Sequence, residues 1–162
     1  MFPRKALSIA VAASSLLLGA CGLVKHDPVT EVTADAYVNT RWRGSLVTPA
    51  TLAGAVQMNG TAIMQPGKSA GNTDLSVNLS NATPGGLHPW QLRRGQCGQD
   101  EGVIGPAGAY QAVKIGSNGR GSGVATVPMA TPTSGSFFVT VQASAANPET
   151  IVACGNLAPP AS

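Results

Sequence analysis

Gly85-Gly86-Leu87-His88-Pro89-Trp90-Gln91-Leu92-Arg93-Arg94-Gly95-Gln96-Cys97-Gly98 is the stretch from which the fold is read. It runs from a turn into a strand whose alternation sends Gln91 and Arg93 to one face, and then into a loop that carries a cysteine. Its natural partner lies near the C-terminus, at Ile151-Val152-Ala153-Cys154-Gly155. Around these two segments the chain reads as short strands and turns.

Leu75, Val77 and Leu79 alternate with Ser76, Asn78 and Ser80, a half-buried strand. Leu46 to Met64 predicts a hairpin-like pair of strands with Asn59-Gly60 as its turn. Asn81 to Gly86 is a turn cluster, and glycine-rich Gly98 to Gly108 predicts a long loop. Tyr110, Val113 and Ile115 suggest a strand. Ser117-Asn118-Gly119 then turns the chain into Val124 to Val127, and Pro128 to Gly135 predicts a loop. Phe137, Val139 and Val141 alternate with Phe138, Thr140 and Gln142 as a strong strand. Asn147-Pro148 is expected to break it, leaving Ile151 to Ala153 as a short closing strand. With 20 glycines, 12 prolines and only 4% aromatic residues, the pattern predicts an all-β antiparallel sandwich or barrel.

The N-terminus reads as an address. Met1 to Lys5 is short and basic, and Ala6 to Leu17 is an apolar run too short for a comfortable membrane span. Leu18-Gly19-Ala20-Cys21 resembles a bacterial lipobox, which implies acylation of Cys21 and attachment to a lipid membrane. More than one acyl chain is needed for stable anchoring. Gly22 after the cysteine resembles the sorting pattern for the outer membrane, on its periplasmic face in a Gram-negative cell. The expected divisions are 1–20 signal peptide, 21–44 lipidated tether, 45–158 β-domain and 159–162 short tail. His26 reads as solvated in the tether, and Trp42 as packing the tether onto the domain.

Removing Arg4 and Lys5 with the signal leaves eight of the ten Lys/Arg against seven Asp/Glu, a net charge of about +1. No basic stripe remains to follow a phosphate backbone, so no nucleic-acid partner is expected. Three cysteines with one committed to lipid leave Cys97 and Cys154 to pair in an oxidising compartment. A reactive thiol pair is the alternative, but no Cys-x-x-Cys spacing supports it.

The central stretch, the cysteine after it and the late Ala153-Cys154-Gly155 resemble the copper/zinc superoxide dismutase family, closest to its bacterial envelope members. Gly86-Leu87-His88, Gly105-Pro106, Asn118-Gly119-Arg120, Val139 to Ser144 and Val152 to Gly155 fall in matching order, from about Leu46 to Leu157. The resemblance implies a Greek-key β-barrel with a disulfide from loop to last strand. It also implies copper and zinc, but the ligand positions depart from the family. Gln91, Arg93 and Gln142 stand where the copper histidines belong, Ile151 replaces an anion-guiding arginine, and Gly98 to Arg120 contains no histidine. Copper at such a site needs several neutral imidazoles. Arg93 has no lone pair to offer and would repel the ion.

The implied function is therefore a metal-free, non-catalytic lipoprotein acting as a binding or structural module in the envelope. A sharper version has Gln91, Arg93, Arg94 and Gln142 form a pocket for a small anion or the carboxylate of an envelope protein. Against it stands the reading that these side chains simply hydrogen-bond one another or meet solvent. His88 is expected to be structural, holding backbone. The alternative function is a superoxide dismutase using copper or zinc at an unconventional site. A third reading gives the contact surface to the tether and Trp42. Neither a catalytic triad nor a phosphate loop is legible.

Overall fold

The computed structural model describes residues 40–160. Cys21, the signal peptide, most of the tether with His26, and the last two tail residues lie outside the described residues.

The described chain is all-β. Ten strands follow in order: β1 Trp42–Val47, β2 Asn59–Pro66, β3 Thr73–Ser80, β4 Leu87–His88, β5 Trp90–Gln96, β6 Gln99–Val103, β7 Val113–Lys114, β8 Gly121–Val127, β9 Phe137–Ser144 and β10 Asn147–Leu157. Eight of them form one antiparallel sheet in the order β6-β5-β9-β10-β1-β2-β3-β8, curled into a half-barrel. β4 and β7 make a separate two-stranded ribbon.

The inner face collects the alternating apolar residues of every long strand. Trp42 and Leu46 from β1, Ala62 and Met64 from β2, and Leu75, Val77 and Leu79 from β3 are buried, as are Trp90 and Leu92 from β5. Each buried aliphatic side chain contributes about 1.5–3 kcal/mol by leaving water. The two tryptophans plug this core and keep their indole N–H groups bonded. Trp42 Nε1 donates to the Pro132 carbonyl and Trp90 Nε1 to that of Gln111, both at 2.8 Å. Trp42 meets Phe137 edge-on, and Trp90 meets Tyr110 in the same way, with ring centroids 5.2 Å apart in both pairs. Burial pushes the Tyr110 phenol up to about 12, and its hydroxyl donates to the Ile104 carbonyl. Trp42 is thus a core residue of the first strand, which begins inside the segment read as tether.

Four local expectations are corrected. Asn59 and Gly60 are not a turn: they open β2, paired with Val47 and Leu46, and a 3₁₀ turn at Ala50–Leu52 lies in the connection. Gly60 is required there by close approach, because a Cβ would sit 2.2 Å from the Asn78 carbonyl oxygen of β3. Gly98 to Gly108 is not all loop, since β6 pairs with β5 through a two-residue turn at Cys97-Gly98. Gly98 takes a φ of +87° at that turn. Tyr110 lies outside any strand, and β7 spans only Val113–Lys114. The closing strand is not short: β10 runs from Asn147 to Leu157, with register shifts between Asn147 and Ile151 and between Ile151 and Ala153. Asn147-Pro148 therefore starts a strand instead of ending structure. Bulges accommodate its irregular first half.

β3 keeps the expected alternation, whereas β9 does not. Phe138, Thr140 and Gln142 are as buried as Phe137, Val139 and Val141. Something covers the outer face of β9, and that cover defines the site.

Candidate functional site

Cys97 and Cys154 form a disulfide, with Cα atoms 6.1 Å apart and 57 residues between them in sequence. β9 lies between β5 and β10 in the sheet. A bridge from the β5–β6 turn to β10 therefore passes over the outer face of β9. The Cys97 amide also donates to Asn156 Oδ1 of β10 at 2.8 Å. Loop-closure reasoning assigns such a bridge roughly 4 kcal/mol.

Beside this bridge lies an open concavity of about 1120 Å³ over β5, β9 and β10. Gln91, Arg93, Phe138, Thr140, Gln142 and Ile151 are among its lining residues. The β5/β9 register puts Gln91 opposite Thr140 and Arg93 opposite Phe138, and Ile151 of β10 stands opposite Gln142. The fold thus brings together three of the four residues expected to form a pocket. The fourth, Arg94, is exposed and lines a different hollow with Glu101 and Met129. Consecutive strand residues face opposite ways, so Arg93 and Arg94 cannot share a site.

Arg93 is already paired. One terminal nitrogen, Nη1, donates to Gln91 Oε1 at 2.8 Å, and Nη2 makes a salt bridge with Asp100 Oδ2. The amide of Gln142 reaches Gln91 Oε1 at 3.5 Å. Asp100 is held on β6 by the Gly102 amide, which donates to its Oδ1 at 2.8 Å. The hydrogen bond from Arg93 is the main reason that the Asp100 carboxyl sits below its ordinary value of 3.8. The bond from Gly102 adds to it, and slight desolvation opposes both.

Two polar atoms in this neighbourhood are shut off from solvent without a hydrogen-bond partner: Arg93 Nε and Thr140 Oγ1. Thr140 is only 4% exposed. A buried donor left unmatched costs about 1–3 kcal/mol. Thr140 was not singled out in the sequence, where its polarity fitted an outward position on an alternating strand. Asp100 is the sole aspartate between Gly98 and Arg120, and no local pattern pairs it with Arg93.

His88 is 8% exposed and sits on β4 beside this locus. Its Nδ1 donates to the backbone carbonyl of Gln142 at 3.0 Å, while the Gln142 amide donates to the Pro89 carbonyl at 2.8 Å. These bonds strap the β4 segment to the end of β9. His88 Nε2 is buried without a partner.

The residues present do not fit the copper and zinc that the resemblance implies. Arg93 carries a cation and no lone pair, and it is bonded to the neighbours that a metal would have to displace. Among the described residues, no group of three His, Cys, Asp or Glu side chains comes together as a metal-binding cluster. No family model, curated protein or solved structure matches the chain.

Proposed function

We propose that this chain is a superoxide dismutase-like lipoprotein that has lost its metal sites and serves as a non-catalytic binding or structural module of the cell envelope. Acylation of Cys21 would anchor it to a lipid membrane, on the periplasmic face of the outer membrane in a Gram-negative cell. The strand order supports a Greek-key arrangement. β1-β2-β3 form a meander, the chain then leaves to build the β5–β6 hairpin, and β8 returns to β3 before β9 and β10 fill the space between β5 and β1. The disulfide from the β5–β6 turn to the last strand supports the same assignment.

One observation carries the loss of catalysis. At the locus where the resemblance implies copper, Arg93 is bonded to Gln91 and paired with Asp100. Dismutation needs a centre that accepts and returns an electron, and neither glutamine, arginine nor aspartate does so. The test is to load the full chain, solubilised in detergent, with copper and zinc, remove free metal, and measure both metal content and superoxide consumption. The expected result is no stoichiometric copper and no consumption above buffer. Tightly held copper at one ion per chain together with activity would restore the dismutase reading.

A further inference from the structure

The concavity is open, yet the strand beneath it is buried. Phe138, Thr140 and Gln142 point away from the core, yet none exceeds a tenth exposure. The disulfide bounds the concavity on one side and the bulged start of β10 on another. Arg93 and Thr140 both line it, and Arg93 Nε–H and the Thr140 hydroxyl are buried without an acceptor. Thr140 is diagonal to Arg93 across β5 and β9, which puts the two orphaned groups on one face at neighbouring positions.

We infer that this concavity binds an uncharged ligand bearing an amide carbonyl, whose oxygen accepts from both Arg93 Nε–H and Thr140 Oγ1–H. A carbonyl oxygen has two lone pairs, which matches two donors. An apolar group on the same ligand would pack against Leu52, Phe138 and Ile151, which share the lining. The charge balance selects against a free anion. Arg93 is offset by Asp100, and Glu149 also lines the concavity, so carboxylates outnumber cations there by one. Because the two orphaned atoms are closed to solvent, the ligand enters by displacing the Arg93–Asp100 arm. Asp100 is the more exposed end of that arm, at 43%, and lies on the edge strand β6. A pair so placed holds weakly enough to open.

This inference rests on the non-catalytic reading of the same locus. Its test uses the full chain, ¹⁵N-labelled, in detergent micelles and treated with chelator. N-acetylleucine methylamide is titrated in, with N-acetylleucine as the counterpart that differs by carrying a carboxylate. The Arg93 side-chain Nε–H resonance is the reporter. The methylamide is expected to shift it saturably and the acid not to. Thr140→Val should weaken the methylamide about fivefold, the effect of losing one neutral hydrogen bond. Arg93→Lys keeps the charge but removes the Nε–H, and should weaken it similarly, read in that variant from the backbone amides of Thr140 and Gln142, so it decides the matter if Thr140→Val does not fold. No saturable shift, equal binding of the acid, or unaltered affinity in the folded variants would overturn the inference. The titration is metal-free, so its failure leaves the non-catalytic reading standing. Copper retention would sink that reading without touching the titration.

Discussion

β3 and β9 are both eight-residue strands of the same sheet, and they treat their outer faces differently. On β3, Leu75, Val77 and Leu79 enter the core while Asp74, Ser76 and Asn78 meet solvent or the margin of it. On β9, the outward residues Phe138, Thr140 and Gln142 are buried too. A strand buried on one face is scaffolding for the core. A strand buried on both faces, with an unmatched hydroxyl at Thr140 on the second, marks where the sheet has been built upon. The β5–β6 turn held by the disulfide, the bulged start of β10 and the segment around Leu52 share the lining of the hollow over that face.

The largest expected effect comes from removing that cover. Reduction of Cys97–Cys154, or Cys97→Ser with Cys154→Ser, should lower the unfolding free energy by about 4 kcal/mol in denaturant titrations. It should also raise hydrogen exchange at the outer face of β9 while sparing β3. Equal deprotection of both strands would erase the distinction between them.

Next in size is truncation on the two outer faces. Phe138→Ala should cost about 3 kcal/mol, as a core aromatic does, although it lies on the side away from the core. Ser76→Ala on β3 should stay within about 0.5 kcal/mol. Comparable values for the two would mean that the outer face of β9 is not packed.

Thr140→Val removes a buried hydroxyl that bonds to nothing in the folded protein. It should stabilise the ligand-free chain by about 1 kcal/mol, measured as a raised denaturation midpoint at constant m-value. A loss of similar size would show that the hydroxyl has a partner after all.

The smallest effect is that of pH on the Arg93–Asp100 pair. Folding depresses the Asp100 carboxyl below 3.8. Its stabilising contribution is therefore present above about pH 4 and disappears as the pH falls through the depressed folded value. Asp100→Asn should flatten that part of the acid unfolding curve slightly, because the pair is partly exposed. An unchanged curve would mean that the arm adds nothing to stability.

The sequence made one half of this comparison easy to read and hid the other. The alternation over Leu75 to Ser80 reports a single buried face directly, and the elimination that paired Cys97 with Cys154 needed the number of cysteines, the assignment of Cys21 to lipid and an oxidising compartment. β6 was invisible because four of its five residues are exposed, so no apolar period marks it. Asn59-Gly60 was misleading because glycine serves close strand approach as well as turns. The link between Arg93 and Asp100 depends on the β5–β6 hairpin and its register shift between Arg93 and Gly95, which no local pattern announces. Thr140 gave no signal at all: a threonine on a strand looks solvent-facing until something covers it.

The central claim of the proposal is that Arg93, bonded to Gln91 and Asp100, stands where the resemblance implies a copper ion. A crystal of the protein soaked in copper, with anomalous scattering measured at the copper edge, addresses it most directly. The account predicts Arg93 seated on Asp100 and no anomalous peak among Gln91, Arg93 and Gln142. A copper peak there, with the Arg93 side chain swung aside, would contradict it.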